Sequence, residues 1–243
     1  MNKWITTNGY AVYKVLGGRS NVFLIQHNNK HLLIDTSIKG NEKELIKTLS
    51  KLDVTKESLI ALILTHSHFD HVGNAYSIKN LFDTKIYIHS SEKINLQNAI
   101  VKIPKGIATI PRFISYLGSK VAEKFKFAEA QPDVCVEDSF DFKDIGLNIT
   151  ILHTPGHSIG SMSIIVDGEI AIVGDLMFGV FYNGLIPPFA DFPSEMINSW
   201  GKLLETECKI FLPSHGSERS RELVQKKFKK YKWHKKYKSL KNK

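Results

Sequence analysis

Leu59-Ile60-Ala61-Leu62-Ile63-Leu64-Thr65-His66-Ser67-His68-Phe69-Asp70-His71 is the stretch on which the reading of this chain turns. An apolar run bounded by a turn reads as a buried strand, so the histidines behind it sit in the loop at its end. Alternate residues of an extended chain share a face. That lets His66 and His68 grip one ion, while Asp70 and His71 point elsewhere and reach a second. The competing reading is a polar loop whose histidines merely titrate. Three imidazoles and a carboxylate within six residues, with no hydrophobic partner for the rings, argue against it.

Three further strand-like runs end the same way. Leu147 to Leu152 leads into Thr154-Pro155-Gly156-His157-Ser158, Ile170 to Val173 into Gly174-Asp175, and Ile210 to Leu212 into Pro213-Ser214-His215-Gly216. Each time an apolar strand delivers one ligand-type residue beside a Gly or Pro that permits a tight turn. A lone His or Asp in such a place is usually a turn residue; four such loops in one chain point to a shared site.

With these motifs the chain resembles the metallo-β-lactamase-fold superfamily, from about Asn21 to His215. The resemblance implies an α/β chain folded as a four-layer αβ/βα sandwich, one domain over residues 1–243, with its site at an edge between two sheets. It assigns His66, His68 and His157 to a first metal, Asp70, His71 and His215 to a second, and Asp175 to a bridge between them. Asp35, in Leu33-Ile34-Asp35-Thr36, falls where the family carries a further acidic residue, and reads either as turn-forming or as a support for a ligand. Imidazole and carboxylate suit two divalent ions, zinc first, with iron or manganese as alternatives; no cysteine occupies a ligand position. Two such ions bring a shared water from a pKa of ~16 toward ~7, a hydroxide able to attack an ester, thioester or lactone. Asp70 is the catalytic residue expected to orient that water or pass its proton to the leaving group.

Departures from subfamilies narrow the expectation. Asp175 stands where true β-lactamases of the fold put Cys or His. His68 stands where flavodiiron proteins usually carry Glu. The segments around Asp175 and His157 look most like glyoxalase II and its relatives. Yet 28 residues follow His215, too few for the helical glutathione-binding domain of that enzyme, and Gly179 to Gly184 carries no charge. Lactonases of the fold have a Tyr shortly after the bridging Asp, where this chain has Phe178, with Tyr182 the nearest phenol.

The rest of the chain reads as two similar halves around one site. Strands Asn21–Ile25 and His31–Ile34 form a hairpin turning at Asn28-Asn29. A helix covers Gly40 to Leu52 with Asn41 as cap, and another runs from Gly73 to Leu81. Lys85–His89 is a strand, a hairpin turns at Asp167-Gly168, and Met196 to Glu205 is a helix. Residues 92–133 read as a helical insertion, a lid or pocket wall for an apolar small-molecule substrate, or else a homodimer face. Phe178, Phe181, Tyr182 and Leu185 to Phe189 are candidates for the same pocket.

Net charge is +9, but residues 219–243 carry twelve Lys or Arg against one Glu, and the remainder is slightly acidic. That basic segment reads as a terminal helix packing Val224, Phe228 and Tyr231 on the core; nucleic acid or an anionic surface is the other use for it. Nothing at the start resembles a signal peptide, and no run approaches a membrane span, which predicts a cytoplasmic protein. Cys135 and Cys208 form no metal-binding pair and read as small buried hydrophobes. Beside the hydrolase stand two other readings, a phosphodiesterase or nuclease of the same fold and a ligand-binding member without catalysis. His27, His31, His89, His153 and His234 fit no ligand position, with His153 the one to consider as a support.

Overall fold

Alternation along the strands decides how this chain stacks. In the computed structural model, which describes residues 1–241 and the side chains of residues 1–232, seven strands lie side by side in chain order. They are β1 (Lys3–Ile5), β2 (Ala11–Leu16), β3 (Val22–His27), β4 (Lys30–Ile34), β5 (Leu59–Ile63), β6 (Lys85–His89) and β7 (Val134–Val136). The first four are antiparallel and β4 to β7 are parallel. A second sheet holds β8 (Ser139–Asp141), β9 (Ile149–His153), β10 (Met162–Val166), β11 (Ile170–Gly174), β12 (Ile210–Pro213) and β13 (Arg219–Ser220), with β11 and β12 parallel. Two hairpins turn where expected, at Asn28-Asn29 and Asp167-Gly168, all four residues having positive φ as tight two-residue turns demand.

The helices are α1 (Glu42–Ser50), α2 (Phe69–Val72), α3 (Ala75–Phe82), α4 (Lys93–Gln97), α5 (Thr109–Lys120), α6 (Pro193–Glu205) and α7 (Arg221–Lys241). Leu24, Leu33 and Leu62 face α1 and α3 through Leu45, Leu49, Ile78 and Phe82. Their neighbours Phe23, Ile25, Leu32, Ile34 and Ile63 point the other way and meet Ile151, Ile164 and Ile172 of the second sheet. The reverse face of that sheet, Val173 and Phe211, packs on Met196, Trp200, Leu203 and Val224. The buried apolar residues of the strands thus feed three apolar seams, which makes four layers, helix, sheet, sheet, helix. Each fully buried Leu or Ile contributes about 1.5–3 kcal/mol.

Two local expectations need correction. Asn41 precedes α1 but makes no side-chain cap; its amide donates to Ser37 Oγ instead, at 3.1 Å. The helix expected from Gly73 to Leu81 begins two residues later, as α3, and a separate short helix, α2, precedes it inside the histidine motif, from Phe69. Gly73 sits at the break against the Ile38–Lys39 backbone, where a Cβ would collide. The insertion holds two α-helices, the short α4 and the longer α5, followed by a 3₁₀ turn at Ala122–Phe125. Val224 is buried, and Phe228 and Tyr231 of α7 pack against the second sheet's helical layer, as their spacing implied. The side chains of Trp233, His234 and Tyr237 lie outside the described residues. Among the described residues no helix is long and apolar enough to cross a membrane.

Candidate metal centre

The parallel strands put their carboxyl ends at one edge, where the sheets meet. β5 runs out into Thr65 and then His66 and His68, the latter in extended chain, and α2 turns Asp70 and His71 toward the same space. β9, β11 and β12 deliver His157, Asp175 and His215 from the other sheet. All seven residues proposed from the sequence come together. The ligand-type atoms of His66, His68 and His157 lie within 4.8 Å of one another, and so do those of Asp70, His71 and His215, and of His66, His71 and Asp175. Asp175 sits between the two trios. Its Oδ2 is 3.4 Å from His157 Nε2 and 3.3 Å from His215 Nε2, and its Oδ1 is 3.5 Å from His71 Nε2.

Two of the rings, those of His71 and His157, are held from behind. Asp35, at φ 63°, accepts at Oδ2 from His71 Nδ1 at 2.8 Å and from the Thr65 hydroxyl at 2.9 Å, and at Oδ1 from the Thr65 backbone N–H at 2.8 Å. It therefore makes the turn and orients a ring, both of the roles left open for it. His157 Nδ1 donates to the Phe189 carbonyl at 3.0 Å. Gly156, at φ 145°, runs so close to Met196 of α6 that a Cβ would collide with its backbone. Asn21 donates through Nδ2 to the carbonyls of Pro213 and Gly216, both at 3.0 Å, and so anchors the His215 loop to β3.

Glu92 was not foreseen. It is buried and accepts from Ser67 Oγ, Asn95 Nδ2 and the Gly160 backbone N–H, tying the His66–His68 loop to the loop after His157. Burial pushes its carboxyl up, but hydrogen bonds from Ser158, Ser67, Asn95 and Gly160 outweigh that and hold it below the usual range. Asn95, three residues on, does not mark it; only folding brings Ser67, Ser158 and Gly160 to it.

The cluster is built for a cation. His71 Nε2 and Asp175 Oδ1 are buried without a hydrogen-bond partner, an expensive arrangement unless something positive lies between them. Burial, then the neighbouring rings, holds His66 and His68 well below the ordinary histidine value, so both present free lone pairs at neutral pH. Burial opposes charge on His71 and His215, but Asp175 and the neighbouring carboxylates overcome it and push both up. Burial works against ionised Asp175 too, and the surrounding histidines reverse that and hold it far down. His66 Nε2 and His157 Nε2 approach His68 Nδ1 to 3.0 and 2.9 Å. Bonds of 2.0–2.1 Å to a tetrahedral zinc would put such nitrogens about 3.3 Å apart. The donor set fits divalent metal.

A cavity of about 710 Å³ opens above the cluster. Its floor is His68, Asp70, His157, Asp175 and His215; Phe178, Pro187 and Phe189 form one wall, and Ile114, Leu117 and Phe125 of the insertion form the other. Arg19 and Lys120 stand at its margin, the Arg19 Nε 3.9 Å from Asp70 Oδ2. Not every expected lining residue takes part. Phe181 and Tyr182 are largely exposed to solvent, and Leu185 is buried in the core with Ile186 packed beside it. His153 stacks on His89 at 3.9 Å and bonds the Ile159 carbonyl at 2.8 Å, away from the cluster, and His31 is buried against Ser58.

Comparisons with known proteins give the family and the fold. A probable metallo-hydrolase of Bacillus subtilis is 30% identical over 120 residues, 49% of this chain and 50% of that protein. The chain thus spans about half the length of that curated relative. An archaeal metallo-beta-lactamase superfamily protein from Sulfolobus tokodaii superposes with a TM-score of 0.65 at 20% identity, over 90% of this chain and 85% of the other. A protein crystallised in a di-iron-bound form superposes with a TM-score of 0.63 at 21% identity, over 87% and 96%. Both likenesses show the fold. The sequence pattern of the metallo-beta-lactamase superfamily matches residues 15–215, which takes in both sheets' site loops. With that match over most of its length, the chain belongs to the metallo-beta-lactamase superfamily.

Proposed function

We propose that the chain is a dimetal hydrolase of an ester, thioester or lactone whose acyl or aromatic part is apolar. The observation that carries this is the meeting of two ligand trios at Asp175, on the floor of an otherwise apolar cavity. His66, His68 and His157 would hold one ion, Asp70, His71 and His215 the other, with Asp175 between. Bound there, the pair supplies a Lewis acid for the substrate oxygen and water activated near neutral pH. The curated relative's description and the di-iron neighbour lend support.

The chain's own residues do the rest. Asp70 lies 3.7 Å from His215 Nε2 and faces the cavity, so its carboxylate can accept a proton at Oδ2 and return it to the leaving oxygen or sulfur. Phe178, Pro187, Phe189 and the insertion exclude water and hold the apolar part. Arg19 offers a cation beside Asp70 for a polar group of the substrate. A phosphodiesterase reading leans on the basic C-terminal helix, whose first turns are instead occupied in packing on the core.

The test is metal content by mass spectrometry, run with hydrolysis of a lactone, a thioester and bis-p-nitrophenyl phosphate. Two ions per chain and carbonyl-substrate turnover that Asp70→Ala abolishes is the expected result. Phosphodiester turnover alone would move the second reading to first place. No ion retained after loading with zinc, iron or manganese would overturn the site.

A further inference from the structure

None of the twelve residues of α5 is buried, although its sequence is that of a helix with an apolar face. Ile110, Phe113, Ile114, Leu117 and then Val121 recur at helical spacing, which draws one stripe along it. Ile114, Leu117 and Val121 line the cavity. Ile110 and Phe113 carry the stripe outward and are 73% and 61% exposed, with Tyr116 beside them at 57%. A stripe that begins inside a cavity and ends in water lacks its partner. Around it stand Lys102, Lys105, Arg112, Lys120, Lys124 and Lys126, all exposed, with Glu123 the one acid between residues 101 and 128.

Charge selects the occupant. A second copy laid face to face would bring two such cationic segments together, at a like-charge cost. An anionic lipid surface satisfies both features at once, since the apolar side chains enter the acyl boundary while the lysines meet headgroups. We infer that α5 and its lysine rim dock on an anionic lipid bilayer and hold the cavity mouth at its surface. This is independent of the hydrolase reading, because docking needs neither metal nor turnover.

The experiment is co-sedimentation of the full chain with vesicles of phosphatidylglycerol and phosphatidylcholine in equal parts, and with phosphatidylcholine alone, beside light scattering without lipid. Binding to the anionic vesicles that weakens with salt is expected. Ile110→Asp with Phe113→Asp should lower it on the order of tenfold or more, and Lys124→Ala with Lys126→Ala about fivefold per lysine. These side chains are exposed and line no part of the cavity, so circular dichroism and any hydrolysis of a soluble substrate should be unchanged. No binding, or binding untouched by these changes, overturns the inference. So does binding lost only when Lys226, Lys227, Lys229 and Lys230 of α7 are neutralised, or a lipid-free dimer that Ile110→Asp with Phe113→Asp splits.

Discussion

At the scale of single residues, the ligand-type side chains were legible because each stands at a strand end in a motif, and the residues holding them were legible only where they share such a motif. Asp35 could be placed near the site but not given one role, since its two roles depend on partners thirty or more residues away, Thr65 and His71. Its carboxylate keeps the proton of His71 on Nδ1 and so turns Nε2 toward Asp175. Asp35→Asn should weaken metal binding about 10–100-fold, read by competition with a chromogenic chelator. Glu92 was invisible because its donors come from three separate segments. Its folded carboxyl is held below its unfolded value, so its contribution to stability is fully present above about pH 4.3 and fades as pH falls through the lower folded value. Glu92→Gln should flatten that acid-side loss and cost about 1–3 kcal/mol at neutral pH, measured by urea unfolding across the range.

At the scale of elements, most of the longer strands were legible where apolar residues alternate or run on, because burial on one or both faces leaves that mark directly in the chain; β2 was not read although it is as apolar, nor were the short edge strands. Helices were less so. α3 was legible to within two residues of its start, but the short α2 ahead of it was not, and the break between them comes from Gly73 passing against the Ile38–Lys39 backbone, a contact no local pattern encodes. The placement of α5 is likewise a long-range matter. The Ile107 N–H donates to the Pro188 carbonyl and the Ala190 N–H to the Lys105 carbonyl, both at 2.9 Å, and this short ladder sets the base of the helix beside the loop that holds His157. In α6 the central support is Trp200, fully buried, its Nε1 donating to the Leu176 carbonyl at 2.9 Å just beyond Asp175. Trp200→Ala should cost about 3–5 kcal/mol in a denaturant melt and loosen the Asp175 loop.

At the scale of the whole molecule, the layered fold was implied by the family resemblance that the four ligand-bearing loops carry, whereas the insertion was left between a pocket wall and a dimer face, and only the folded chain brings Ile114, Leu117 and Phe125 to the cavity. The paired sheets meet where the histidines gather, so stability and metal occupancy are linked. Loading with zinc at about a hundredfold excess over its dissociation constant should raise stability by about 2.7 kcal/mol, and a chelator should reverse it, seen as a reversible shift in melting temperature. His66, His68, Asp70 and His71 come from the first sheet's half of the chain, and His157, Asp175 and His215 from the second's. Neither half owns a complete trio. The site therefore acts as a lock that needs two keys, and a chain severed between α4 and β7 into separate pieces should take up metal only on reunion, making ion uptake a direct gauge of whether the two halves have found each other.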